Sequence, residues 1–128
     1  MARFLLDTTF LIDVLNEQRG RYEVMKALAM QQHELACCPI NVTEVYSGMR
    51  GAETPKTEAL LRSLEYIPIT LDAAKLAGEL RQLWARKGKT FSVPDMMIAA
   101  VCISEKLTLI TDNRKDFPMP ELTLYALP

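Results

Sequence analysis

The residues of this chain with the most chemical potential are acids, and they fall at four places where an apolar run gives way to turn or helix-starting residues. Asp7 follows Phe4-Leu5-Leu6, Glu44 follows the run Leu35 to Cys38 and Pro39, Asp95 follows Ser92-Val93-Pro94, and Asp112 and Asp116 follow Leu107 to Ile110. Carboxylates gathered in one pocket repel one another, so some must take up protons or a cation must lie between them. An all-oxygen donor set suits a hard divalent ion. Mg²⁺ in particular keeps several waters and leaves positions for the oxygens of a phosphate.

Each acid also has an ordinary explanation. Asn41-x-x-Glu44 and Ser92-x-x-Asp95 both have capping-box spacing, and Asp7 is placed to cap the helix that follows it. Capping does not predict that the acids share one edge of one sheet, with no histidine and few basic residues close by. Other catalytic designs find little support. The single histidine, His33, sits in the polar stretch Gln31-Gln32-His33-Glu34, where it reads as a surface residue, so neither a histidine triad nor a histidine-rich zinc site is available. Gly88-Lys89-Thr90 resembles the end of a phosphate-binding loop, but Leu83 stands where the earlier glycine is required. An aspartyl-phosphate site needs a second Asp two residues after the first, and that position is Thr9.

The elements that must position these acids follow from periodicity. Phe4 to Leu6 reads as a short strand, and Phe10, Leu11, Val14 and Leu15 then recur at helical spacing. A second helix covers about Arg21 to Gln32, and Leu35 to Cys38 is a buried strand stopped by Pro39. Asn41 opens the next helix, which ends near Gly51, and Pro55 to Leu64 forms another. Tyr66-Ile67-Pro68-Ile69 is a short strand whose proline places it at an edge. Leu71 to Lys87 is strongly amphipathic, with Ala73, Leu76, Ala77, Leu80 and Trp84 on one face. Pro94 to Ile103 is apolar on most faces and must be buried. Leu107 to Ile110 and Leu122 to Tyr125 complete the strands. Short apolar strands alternating with helices imply an α/β fold, a three-layer α/β/α sandwich around a mostly parallel sheet, with residues 1–128 as one domain. In such sheets ligands bind beyond the carboxyl ends of the strands.

Bulk properties set the limits. A chain of 128 residues with a formal net charge of −1 can bury a full core and is not suited to indiscriminate binding of nucleic acid, so any such site is local. The first seven residues hold an apolar stretch too short for a signal peptide or a membrane span, which points to the cytoplasm. The three cysteines, Cys37, Cys38 and Cys102, fit neither a disulfide framework nor a zinc spacing and read as small core residues.

Four segments in order, Leu5-Leu6-Asp7-Thr8-Thr9-Phe10-Leu11-Ile12, Thr43-Glu44-Val45-Tyr46-Ser47-Gly48, Pro94-Asp95-Met96-Met97-Ile98-Ala99-Ala100 and Leu109 to Phe117, resemble the PIN-domain family. Within it the chain is most similar to VapC-type toxins of prokaryotic toxin–antitoxin pairs, over nearly its whole length. The resemblance implies a Mg²⁺- or Mn²⁺-dependent endoribonuclease with Asp7, Glu44 and Asp95 as metal-site acids and Thr9 as a polar neighbour that orients a carboxylate or a water. The last motif matches at Thr111, Asn113 and Asp116. Asn113 stands where many members carry Asp, which leaves Asp116 or the off-pattern Asp112 to complete the site. An acidic pocket that cuts RNA needs a basic rim, for which Arg50, Lys56, Arg86, Lys87, Lys89, Arg114 and Lys115 are the candidates. The resemblance further implies a small cognate antitoxin and a homodimer, with Tyr46, Met49, Leu60, Leu61 and Leu64 as interface candidates. The rival readings are a catalytically silent domain that binds RNA or a partner, and a structure-specific DNA nuclease, against which the short chain argues.

Overall fold

In the computed structural model, which describes residues 2–128, the first apolar run becomes strand β1 (Arg3–Leu6), and the chain turns at Asp7 into helix α1 (Thr8–Leu15). Then follow α2 (Arg21–Met30), β2 (Glu34–Cys37), α3 (Pro39–Ser47), α4 (Thr54–Arg62), β3 (Glu65–Tyr66), α5 (Leu71–Arg86), α6 (Val93–Glu105) and β4 (Thr108–Ile110). The strands form one parallel sheet in the order β3-β2-β1-β4. β1 is thus central, with Leu5 opposite Ala36 on one side and Leu109 on the other.

Alternation along the strands feeds two cores, one on each face of the sheet. Leu5, Ala36 and Leu109 pack with α5 and α6, through Ala77, Leu80, Ile98 and Val101. Phe4, Leu6, Cys37 and Ile110 point the opposite way, against Phe10, Leu11, Val14, Leu28 and Val45 of α1 to α3. The three-layer arrangement expected from the sequence is therefore present. The apolar helix α6 is buried as its composition required, and its turn is capped by Ser92, whose hydroxyl accepts from the Asp95 N–H at 3.2 Å. α5 and α6 form an antiparallel hairpin, closed where Arg81 Nε donates to the Phe91 carbonyl at 2.8 Å and Trp84 meets Phe91 edge-on.

Four local expectations change. The edge strand at Tyr66 pairs only over Glu65–Tyr66, because Pro68 has no N–H to continue the ladder, although Ile67 N still donates to Cys37 O at 2.8 Å. The C-terminal strand reduces to one parallel bridge between Leu109 and Leu124, since β4 itself offers only three residues. α3 begins at Pro39 rather than Asn41: proline takes the first helical turn, where a missing N–H is harmless. His33 is not a plain surface residue; its Nδ1 accepts from Ala2 N at 3.2 Å and its ring meets Phe4 edge-on. The cysteines are buried and free as expected, and burial pushes the Cys37 thiol up to about 11. Among the described residues no helix is long and apolar enough to cross a membrane.

Because Leu5 is fully buried in the central strand, Leu5→Ala is expected to cost about 2–5 kcal/mol of unfolding free energy, read from urea denaturation. A loss below half a kcal/mol would contradict this packing.

Candidate active site

β1 and β4 are parallel neighbours with Leu6 opposite Ile110, so the next residue of each, Asp7 and Thr111, emerges from the same edge side by side. Asp7 N donates to Ile110 O at 3.0 Å, which extends the pairing one step past the strand. Alternation turns both side chains toward α6, the face to which Leu5 and Leu109 point. The Thr111 hydroxyl donates to Asp7 Oδ2 at 2.6 Å, and the Thr8 N–H donates to Oδ1 at 2.9 Å. Both oxygens of a carboxylate that is only 5% exposed are thereby oriented.

Glu44 reaches this edge from the second turn of α3. Its Oε1 accepts the Thr8 hydroxyl at 2.6 Å, and the same hydroxyl accepts from Asn41 Nδ2 at 3.2 Å. Asn41, fully buried, also accepts the Cys38 N–H at 2.8 Å, so it caps α3 from inside rather than from the N-cap position its spacing suggested. Asp95 lies in the first turn of α6, half-buried, and Asp116 stands close enough to perturb it.

The electrostatics follow from this convergence. Burial raises the Asp7 carboxyl above the ordinary carboxylate range and Asp95 and Glu44 add to the rise, against the hydrogen bonds from Thr111 and Thr8. Burial also raises Asp95, with Asp116 and Glu44 contributing and the Ser92 hydrogen bond opposing. Among the described residues no ion pair engages Asp7, Glu44, Asp95 or Asp116. This uncompensated all-oxygen set fits a hard divalent cation. No three of the acids close into a ready-made cage among the described residues, so an ion here would complete its shell with water.

Other candidate residues are placed elsewhere. Thr9 is exposed and makes no side-chain hydrogen bond among the described residues; Thr8 takes the orienting role. The signal was present, since Thr8 shares the i, i+3 face of Leu11, whereas Thr9 shares that of the exposed Ile12. Asp112 points away, held by Arg21 and Arg19, so basic residues do stand near one of the acids. Asn113 uses its N–H on Thr111 Oγ1 at 3.0 Å. Of the basic rim, Lys87 and Lys89 occupy the α5–α6 turn at the Asp95 end, with Lys87 Nζ 4.5 Å from the Trp84 ring centre, and Arg86 is exposed beside them. Lys115 is exposed next to Asp116, and Arg114 donates to the Tyr125 carbonyl at 3.2 Å. Arg50 lies in a segment that packs beside Leu15 and Asn16, the end of α1 remote from Asp7, and Lys56 lines a groove with Val14, Tyr22 and Met25.

The PIN domain family model matches residues 4–118. The chain is 32% identical over 93 residues to ribonuclease VapC10 of Mycobacterium tuberculosis, covering 73% of this chain and 70% of that relative. It is 28% identical over 119 residues to ribonuclease VapC19 of the same organism, covering 92% and 95%. Its fold superimposes with a TM-score of 0.87 on a chain of the crystal structure of VapBC2 from Rickettsia felis bound to a DNA fragment from their promoter, at 26% identity and 98% and 99% coverage.

The raised carboxyls have a definite pH signature. A folded-state value above the unfolded one favours folding in acid, and that contribution is lost as pH rises through the folded value. Asp95→Asn is therefore expected to raise the melting temperature of metal-free protein at pH 7, with the gain shrinking as pH falls toward about 4. A gain that grows on acidification would reverse the assignment.

Proposed function

The chain belongs to the PIN-domain family, and from that premise we infer that it is an endoribonuclease, the toxin of a VapBC-type toxin–antitoxin pair, with Asp7, Glu44, Asp95 and Asp116 holding Mg²⁺ or Mn²⁺. The observation that carries the metal reading is the buried, doubly oriented Asp7 facing Asp95 with no cation paired to either. A bound divalent ion supplies charge to stabilise the oxygens of an in-line phosphoryl displacement and lowers the pKa of a water. The protein's share is orientation. Thr111 and the Thr8 N–H fix Asp7, Asn41 acting through Thr8 fixes Glu44, and the start of α6 presents Asp95. Asp116 completes the set, because Asp112 is engaged by arginines.

Lys87 and Lys89, in the turn that leads into α6, and Lys115, next to Asp116 in sequence, are exposed and offer the positive charge that RNA phosphates require. Exposed, unstacked bases in a loop or single strand are the natural target. The small antitoxin is the protein partner, and an arginine from it would pair bidentately with the same carboxylates and displace the ion. A homodimer would use the face of Tyr46, Leu61 and Tyr66, since Leu64 is already buried and Met49 and Leu60 line other grooves. The cytoplasm, where RNA and antitoxin meet, is the site of action.

Protein freed of its partner should cleave RNA only with Mg²⁺ or Mn²⁺, and Asp7→Ala or Asp95→Ala should abolish cleavage in folded protein. Undiminished cleavage in EDTA would overturn the metal role, and RNA binding without cleavage under any divalent ion would favour the silent domain. Thr8→Val, which releases Glu44 from Asn41, should lower activity about 10–100-fold, as removal of outer groups that orient metal ligands does. Activity within twofold of wild type would remove Thr8 from the positioning network.

A further inference from the structure

Strand alternation that sends Thr111 toward Asp7 sends Asp112 to the opposite face of the sheet, where Leu6 and Ile110 pack against α1 and α2. There Asp112 meets Arg21, the first residue of α2. Arg21 Nη2 lies 2.6 Å from Asp112 Oδ1 and Arg21 Nε lies 3.2 Å from Oδ2, a two-pronged pair. Arg21 is 5% exposed, and its Nη1 donates to the carbonyls of Arg19 and Pro128 at 3.2 and 3.4 Å. Arg19 adds a second contact to Asp112 at 3.1 Å and binds Asp13 at 2.6 Å.

We propose that Arg21 is a positioning residue of the active site: by gripping Asp112 it fixes the segment that follows the sheet-held Thr111, so that Asp116 faces Asp95. This rests on the ribonuclease reading of that site.

Apart from the Thr111 contact to Asp7, the segment's other side-chain tie to the fold is Arg114 on the Tyr125 carbonyl at 3.2 Å, which lies beyond Asp112. Beyond β4 its internal bonds are Asn113 N to Thr111 Oγ1 at 3.0 Å and Asp116 N to Asn113 O at 3.0 Å, with Phe117 as the next buried anchor. Neither internal bond ties it to the opposite face of the sheet; the Arg21 pair does so at Asp112, the residue directly after Thr111. A buried ion pair gives little net stability compared with an apolar replacement, but it imposes direction, because a planar fork accepts one carboxylate orientation. The connection that delivers both arginines is itself strained: Glu17 and Arg19 have φ of 52° and 53°, left-handed values that non-glycine residues adopt only when surrounding contacts hold them. Arg19 is held by its contacts to Asp13 and Asp112, and Glu17 by its N–H on the Val14 carbonyl at 3.3 Å.

The test compares wild type, Arg21→Gln and Asp112→Asn in two measurements. In metal-free protein, amide hydrogen exchange at Asn113 and Asp116 should accelerate at least about tenfold in both variants while amides in α5 exchange as before. In RNA cleavage with Mg²⁺, kcat should fall about tenfold or more with KM for RNA changed less than twofold, the size expected for outer groups that orient ligands. Arg21→Lys, which keeps charge but not the fork, should recover only part of kcat. Unchanged exchange in the segment, or an unchanged kcat, overturns the proposal; where Arg21→Gln does not fold, Asp112→Asn carries the same two readings. Wild-type protein that fails to cleave RNA with Mg²⁺ would instead sink the ribonuclease reading, and the exchange measurement would still decide whether Arg21 holds the segment.

Discussion

Asp7 and Thr111 meet because β1 and β4 run parallel with Leu6 opposite Ile110, and the backbone bond from Asp7 N to Ile110 O carries that register one residue beyond the strands. Adjacent strands lie about 4.8 Å apart, close enough for side chains on the same face to hydrogen-bond directly. The 2.6 Å contact between the Thr111 hydroxyl and Asp7 is therefore a product of the sheet and needs no loop to be shaped for it. A register slip of one residue would turn Asp7 toward α1 and bury it without a partner. The apolar sets Leu5 with Leu109 and Leu6 with Ile110, each committed to its own core, exclude that slip. Core packing and site geometry are thus enforced by the same pairing.

That arrangement works against the electrostatics of folding. Asp7 is nearly inaccessible, and its nearest charged neighbours are acids. The hydrogen bonds from Thr111 and the Thr8 N–H make an ionised Asp7 tolerable, but they also leave both its oxygens fixed in direction. The protein does possess cations nearby, Arg19 and Arg21, yet the pleat commits them to the opposite face, on Asp112 and Asp13. Had either guanidinium reached Asp7, the acids at this edge would be neutralised from within.

How much of this the sequence discloses depends on the period involved. Helix and strand types follow from apolar spacing, and the buried helix carrying Asp95 follows from its lack of a polar face. The edge position of β3 follows from Pro68 alone. Which of two adjacent residues faces the site is harder, since it turns on where an element starts. Thr8 and Thr9 are chemically alike, and the choice depends on the helix beginning at Thr8, which places Thr8 in line with Leu11. Asn41 has N-cap spacing to Glu44, but Pro39 starts the helix two residues earlier and converts Asn41 into an inward-facing bridge. The last motif puts Asp116 on its pattern and Asp112 off it, but no motif says what Asp112 does instead. The pairing of Asp112 with Arg21 joins residues 91 positions apart, and no local pattern encodes it.

The distribution of positive charge follows from the same geometry. With a formal net charge of −1, the chain has no general attraction for polyanions, and a cluster of acids at one sheet edge adds repulsion there. Cations that border this edge must come from elements that end at it. The α5–α6 hairpin is such an element: its turn holds Lys87 and Lys89 beside the start of α6, and Trp84 supports Lys87 from below through its ring face. Arg50 and Lys56, although equally basic, belong to segments beside the far end of α1 and the groove of α2 and α4. Which basic residues stand next to the acidic helix start in the chain is thus a matter of topology. A phosphate backbone drawn to the hairpin lysines would approach Asp95 along the helix N-terminus, where the α6 dipole adds a further favourable field.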